Sequence, residues 1–280
     1  MRCEKSKIMI FGATGYFGTY MVKASASSAH PTFVYVRPVK PHHPPSKTQL
    51  LKLDEHEKLV EVLRQVDIVI VTFGVPLILE QMKIIRAMKE AGNIKKKLIR
   101  RAAEESGIPY TFVSANSFGA YFVNSLLHPY DQNLKKVTVY GTGEAKFGCN
   151  YEKDIAEYTV KAATDERAEN GLIIYRLPKN VITQLDLISR WERKTGRTME
   201  KTFISDKEMV KLSQSSPFPE AVGIAIFHSI FVKGEQMNYE LKEDDLDAVE
   251  LYPDYDYTTV DQLLDIFVVD PPERGVAAFQ

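Results

Sequence analysis

Lys7-Ile-Met-Ile-Phe11 is a short apolar run that enters Gly12-Ala-Thr-Gly15-Tyr-Phe-Gly18, after which Tyr20, Met21 and Ala24 recur at helical spacing. That order predicts a strand, a glycine turn and a helix. The helix stops near Ser27-Ser28, and Pro31-Thr-Phe-Val-Tyr-Val36 has the aromatic and β-branched content of a buried second strand. The first unit is therefore βαβ. Pro38, Pro41, Pro44 and Pro45 then fit neither a helix nor a central strand and mark an exposed loop. His42-His43 within it has no Cys or carboxylate at ligand spacing and reads as solvated, so no metal site is expected.

The alternation continues. Asp54 to Val66 carries Leu59, Val60 and Leu63 on one face, which predicts an amphipathic helix leading into the strand Asp67-Ile-Val-Ile-Val-Thr72. Leu79 to Ala91 is a second such helix, closed at Gly92-Asn93, and Ile94 to Ser106 repeats Ile94, Leu98, Ile99, Ala102 and Ala103 at a helical period. Two helices thus follow one another without a strand between them. Strands are predicted at Tyr110 to Ser114, Val137 to Tyr140 and Leu172 to Tyr175, extending the sheet to about residue 175. Beyond Pro178 helices take over: Thr183 to Gly196, a capping box at Ser205-Asp-Lys-Glu208, an apolar helix over Phe218 to Lys233, and Thr259 to Val268. The pattern predicts an α/β fold. A doubly wound Rossmann-type parallel sheet over 1–175 would bind a dinucleotide, and a smaller, mainly helical lobe over 176–280 would bind substrate.

Composition narrows the partners. In 280 residues, 36 Lys and Arg balance 37 Asp and Glu for a net charge of −1, so nothing in the bulk charge calls for nucleic acid or an anionic membrane. Cys3 and Cys149 are too few for a disulfide framework, and the apolar run Ile8 to Phe11 is too short for a signal peptide. The longest apolar stretch, Ala221 to Val232, falls short of the roughly 20 residues of a membrane helix. A cytoplasmic location is expected. The sequence admits a homodimer without specifying one.

The glycine pattern carries the first chemistry. Gly12, Gly15 and Gly18, with Ala13, Thr14, Tyr16 and Phe17 between them, stand between a first strand and a first helix. There they allow a tight turn, approach of backbone N–H groups to a pyrophosphate and close helix–sheet packing. At the end of the second strand an NAD enzyme places an acidic residue. This chain has Arg37, whose guanidinium suits a 2′-phosphate, and Lys47 beyond the proline loop could add charge, which points to NADPH. Lys95-Lys96-Lys97 with Arg100-Arg101 is the one strongly basic stretch. On a helix Lys96 and Arg100 lie one turn apart, so each cation disfavours the other and a lysine there becomes a better base. Spacing alone favours a solvated basic face. His228, on an otherwise apolar helix, reads as a hydrogen-bonded core histidine, and Asp154 has no assignable role from pattern.

Longer motifs carry a resemblance. Gly12-Ala-Thr-Gly-Tyr-Phe-Gly18, His30-Pro-Thr-Phe33, Ile108-Pro-Tyr-Thr-Phe-Val-Ser-Ala-Asn116, Val139-Tyr-Gly-Thr-Gly-Glu-Ala-Lys146 and His228-Ser-Ile-Phe-Val-Lys-Gly234 resemble the plant isoflavone reductase-like (NmrA-type) family of atypical short-chain dehydrogenases. The family includes phenylcoumaran benzylic ether reductases, pinoresinol-lariciresinol reductases and phenylpropene synthases. Ser114 to Phe122 and Leu264 to Pro272 look like the phenylpropene synthases, the eugenol-forming members first. What the resemblance implies is an NADPH-dependent oxidoreductase making a phenylpropene such as eugenol from a coniferyl ester. In that family a lysine, Lys96 by its offset from Arg100-Arg101-Ala102, deprotonates the phenol, acetate leaves to give a quinone methide, and hydride is delivered to the side chain. It also implies that Arg100 meets the cofactor and that Phe118, Tyr121 and His228 line the substrate site. Isoeugenol formation, benzylic ether reduction and NADPH binding without catalysis remain alternatives.

The chain departs from the family twice. Leu51-Lys-Leu53 runs straight into Asp54 where members have an additional strand. Lys95-Lys96 joins two helices directly where members have a strand ending in a Pro-Ser-Glu-Phe-Gly-like motif. Two strands are expected to be missing from the sheet.

Overall fold

The computed structural model describes residues 5–36, 55–73, 81–91, 106–131, 133–217, 220–243 and 245–272. In chain order the first elements are β1 (Ile8–Phe11), α1 (Tyr16–Ser27), β2 (Thr32–Tyr35), α2 (His56–Leu63), β3 (Ile68–Val71), α3 (Gln81–Ala91), β4 (Thr111–Ser114), β5 (Ser117–Phe118) and α4 (Gly119–Leu127). Then come β6 (Lys136–Tyr140), β7 (Lys146–Asn150), α5 (Glu152–Ala163), β8 (Gly171–Ile174), β9 (Val181–Thr183) and α6 (Gln184–Thr195). The last are β10 (Glu200–Ile204), α7 (Asp206–Ser215), α8 (Glu220–Phe231), β11 (Asp245–Asp247), α9 (Ala248–Leu251) and α10 (Val260–Val269). The chain divides into two compact units, 1–113 with 156–173 and 114–155 with 174–280. It passes between them three times, where the composition suggests one passage near 175.

In the first unit β1 lies between β2 and β3 and runs parallel to both. Its side chains alternate between two cores, as a strand buried on both faces requires. Met9 and Phe11 pack with Leu59, Val60 and Leu63 of α2 and Ile84, Ala87 and Met88 of α3. Ile8 and Ile10 pack with Met21 and Ala24 of α1 and Ala156, Val160 and Ala163 of α5. Helices thus cover both faces of a parallel sheet, the layering of a doubly wound fold. The strand order changes direction at β1, so the crevice for a ligand opens beyond its C-terminal end.

Strand β2 differs from its prediction as a buried strand. Phe33 and Val34 are 42% and 43% exposed. Among the described residues β2 has β1 as its sheet neighbour and stands at an edge, and the consecutive Phe33 and Val34 are exposed on its two opposite faces. The sheet is also interrupted on the other side: β3 and β4 belong to separate sheets among the described residues, and β4 lies next to β8. The span 94–106, read as a helix, lies almost wholly outside the described residues, and so do the proline loop and His42-His43.

In the second unit β6 pairs in parallel with β10, while β7 pairs in parallel with β5 and antiparallel with β9. The run at 137–140 therefore belongs to this unit rather than to the first sheet. Its partner Glu200-Lys-Thr-Phe-Ile204 has no apolar run by which a pairing could be read. The helix starts follow their capping signals. Thr183 and Asp186 close a capping box on α6, which ends on Gly196 at φ 67°, and Ser205 with Glu208 does the same for α7. Thr259 with Gln262 caps α10.

The core of this unit centres on Phe231, 1% exposed, whose ring lies 5.0 Å from Phe147, 5.4 Å from Phe122, 5.5 Å from Phe227 and 5.9 Å from Tyr140. Truncating a buried aromatic removes its transfer energy and leaves a cavity, so Phe231→Ala is expected to cost about 3–5 kcal/mol. Urea unfolding followed by near-ultraviolet circular dichroism measures it.

Candidate functional site

The glycine turn forms at the end of β1. Thr72, just past β3, donates its N–H and its hydroxyl to the Phe11 carbonyl, both at 3.0 Å. The chain then reverses through Gly12 at φ 82°, in the left-handed region that favours glycine. A Cβ on Gly12 would lie 2.7 Å from the Thr72 hydroxyl and 2.9 Å from its carbonyl oxygen. The Gly15 N–H closes the turn onto the Gly12 carbonyl at 2.9 Å, and α1 begins at Tyr16 with Gly15 as its N-cap. Gly18 is the tightest point: a Cβ there would lie 1.9 Å from the Gly12 carbonyl oxygen.

Those three positions hold a cradle that side chains would fill. The N-terminus of α1 has no side-chain cap and no acidic residue in its first turn. The N–H groups of a first helical turn and the helix dipole favour an anion there. Thr14 is exposed, whereas Ala13 is buried and Phe17 packs on the core under α1. Tyr16 stacks edge-on against Tyr20 at 5.8 Å. The residues fit the pyrophosphate of a dinucleotide: Gly12, Gly15 and Thr14 offer backbone, while Ala13, Phe17 and Gly18 hold the turn against the fold.

In the second unit Phe118 and Tyr121 come together on the first turn of α4, Phe118 as its N-cap and both half-buried. The turn is held by a residue that the sequence pattern did not reveal. Glu152 is fully buried, and its two carboxylate oxygens accept the N–H groups of Ala120 and Tyr121, each at 2.9 Å. Asp154, unassigned from pattern, accepts the Thr258 N–H at 2.7 Å and the Thr258 hydroxyl at 3.2 Å, fastening the approach to α10. Burial, and after it the Glu152 charge, pushes the Cys149 thiol up, which keeps it protonated and inert.

His228, on α8, has its Nε2 2.6 Å from Oδ1 of Asp206, and the other oxygen of Asp206 takes Lys233 at 2.8 Å. Beside this clamp an open apolar cleft of about 460 Å³ runs between α7 and α8, lined by Ser213, Ala221, Ala225 and Ser229 among others. The Lys233 ammonium, and then the His228 ring, hold the Asp206 carboxyl below the usual aspartate range. A depressed carboxylate stabilises the fold above its unfolded pKa, about 3.9, and that contribution fades as pH falls through the folded value. The melting temperatures of the protein and of Asp206→Asn are therefore expected to differ at neutral pH and to converge below about pH 4. Differential scanning fluorimetry across that range checks it.

Arg37, Lys47, Lys96 and Arg100 lie outside the described residues. No helix among the described residues is long and apolar enough to cross a membrane.

The model of the NmrA-like family matches residues 4–98 and 95–264. The chain belongs to the NmrA-like family. Within it, isoeugenol synthase 1 of Petunia hybrida is 50% identical over 319 positions, covering 100% of this chain and 98% of that protein. Eugenol synthase 1 of the same species is 40% identical, covering 94% and 99%. Among solved structures an isoflavone reductase is 34% identical, with a TM-score of 0.83, over 94% of this chain and 99% of its own. A binary complex of leucoanthocyanidin reductase with NADPH from Vitis vinifera is 27% identical, with a TM-score of 0.83, over 94% and 100%.

The NmrA-like match also bears on the second departure, the one at Lys95-Lys96. An alignment of 319 positions uses all 280 residues of this chain, so 39 positions or more face a gap in it. The family model matches in two pieces that meet at 95–98, where Lys95-Lys96 was read as joining two helices. A segment absent there falls between β3 and β4, where the described sheet is interrupted.

Proposed function

We propose that this NmrA-like chain is an NADPH-dependent reductase of small phenylpropanoids, and more narrowly a phenylpropene synthase acting on a coniferyl ester such as coniferyl acetate. The observation that carries the reading is the 50% identity to an isoeugenol synthase along the whole chain. The cradle of Gly12, Gly15 and Gly18 at an uncapped helix N-terminus supports the cofactor half of it. Arg37 and Lys47 are assigned to the 2′-phosphate and Arg100 to the cofactor as well. Bound there, NADPH would supply the hydride that reduces the side chain once the carboxylate group has left.

The protein's own part is proton transfer and orientation. Lys96, unprotonated, takes the phenol proton. The phenolate pushes its electron pair through the ring, and the ester C–O bond breaks with acetate leaving. Phe118 and Tyr121 hold the flat ring, and His228 lines the substrate site. An allylphenol and a propenylphenol product differ in which side-chain carbon gains the new hydrogen. The motif resemblance favours the allyl product, eugenol. The identities, 50% to an isoeugenol synthase against 40% to a eugenol synthase, favour the propenyl product and make isoeugenol the better-supported one.

Purified protein incubated with coniferyl acetate and NADPH, with products resolved by gas chromatography and mass spectrometry, tests both levels. A propenylphenol or allylphenol peak supports the synthase and names its regiochemistry. Cofactor binding without any phenylpropene overturns the reading and leaves a dinucleotide-binding protein.

A further inference from the structure

We propose that Glu152 is a positioning residue, setting the angular register of α4 and with it the direction of Tyr121. This rests on the reading of Phe118 and Tyr121 as substrate contacts. Three successive attachments converge on the segment. Phe118 is paired in parallel register with Asn150 at the end of β7. Gly119 is pressed so close to that strand end that a Cβ would lie 3.0 Å from the Asn150 carbonyl oxygen and 2.8 Å from Leu263 Cδ2. Two residues beyond Asn150, the Glu152 carboxylate accepts the next two N–H groups of the helix, those of Ala120 and Tyr121.

The chemistry suits a carboxylate and no neutral group. The first turn of a helix presents N–H donors without partners and a positive partial charge, and an ionised bidentate acceptor answers both. A glutamine keeps one acceptor but turns an NH2 donor against a backbone N–H, so one bond is lost. The register matters because successive residues of a helix point about 100° apart. Ala120 is buried in the core of the unit while Tyr121 next to it is only half-buried. Loosening the bond to Tyr121 N–H therefore acts first on a half-buried side chain that packs against the margin of the core, ahead of the fully buried Ala120.

Steady-state kinetics with coniferyl acetate and NADPH on Glu152→Gln and Glu152→Asp test this. The expected result for Glu152→Gln is a KM for the ester raised about tenfold with kcat changed much less, the size of a lost charge-assisted hydrogen bond. NADPH affinity, read separately by cofactor fluorescence, stays unchanged. Glu152→Asp keeps the charge on a shorter stem and recovers most of the KM. If Glu152→Gln yields no folded protein, Glu152→Asp still carries the test, because it should raise KM measurably in the native background and not in a Tyr121→Ala background. A merely structural role predicts a lower kcat from a smaller active fraction, a lower melting temperature and an unchanged KM, and that result overturns the proposal. Wild-type protein that makes no phenylpropene removes the functional reading and this inference with it. Wild-type turnover with unaltered KM in both variants removes this inference alone.

Discussion

Gly18→Ala is expected to weaken NADPH binding by about 10- to 100-fold, the range for an overpacking strain of roughly 1–3 kcal/mol placed on the binding turn itself. The added methyl would sit 1.9 Å from the Gly12 carbonyl oxygen, 2.7 Å from its carbon and 2.8 Å from the Ala13 Cα. All three are backbone atoms, so no rotamer change relieves the overlap. The start of α1 must back away from the turn, and the N–H groups proposed to meet the pyrophosphate move with it. On its other side Gly12 is tied through Phe11, whose carbonyl accepts both the N–H and the hydroxyl of Thr72. Gly107 is the matching control, since a Cβ there meets nothing within 4 Å. Gly107→Ala places alanine at φ 68°, which costs about 1 kcal/mol of stability, and it leaves the NADPH dissociation constant unchanged. Fluorescence titration of NADPH into both variants separates a lesion of the cradle from a general loss of stability.

Much of the first unit was legible because its signals are local. Ile8 to Phe11, the glycine turn and the period of Met21 and Ala24 lie within a few residues of one another, and strand, turn and helix formed where that pattern put them. The capping boxes at Thr183, Ser205 and Thr259 were readable for the same reason, since each needs only a residue and its third successor. Pairing is not local. Nothing in Val137 to Tyr140 states that its neighbour is Glu200 to Ile204, 64 residues further on. The interleaving of the two units follows from such pairings and from α5, whose first residues belong to one unit and whose last to the other. Glu152 was illegible on the same ground. A carboxylate beside Asp154 in a helix start looks like an N-terminal charge, and its partners stand 31 and 32 residues earlier in the chain.

The exposure of β2 shows the limit of composition as a guide to burial. Thr-Phe-Val-Tyr has the residues of a buried strand, yet burial depends on a neighbour, and among the described residues β2 has one sheet neighbour, β1. Sequence pattern gave the strand. The exposure of Phe33 and Val34 follows from pairing, which the residue content of the strand does not encode.

Lys96→Ala is expected to abolish turnover while leaving NADPH binding intact. A general base contributes about 10²–10⁴-fold to a rate, and in the proposed mechanism the step it serves starts the reaction, because acetate leaves only when the phenolate pushes. Lys96 stands three residues before Ile99-Arg100-Arg101, the offset that assigns it, and that offset survives although the two pieces of the NmrA-like match meet at 95–98. Its neighbours make the control. Lys95→Ala and Lys97→Ala remove the same charge from the same basic run, and on a helix they point about 100° to either side of Lys96. If the run served only as a solvated face, the three variants would behave alike. If Lys96 is the base, product formation falls by at least a hundredfold in Lys96→Ala alone, and the rise of kcat/KM with pH that reports the free-enzyme base disappears from whatever activity remains. Initial rates of phenylpropene formation across pH 6–9, with NADPH titrated in parallel, decide between the two. Activity surviving in Lys96→Ala would return the proton transfer to another group and leave the basic run as a surface feature.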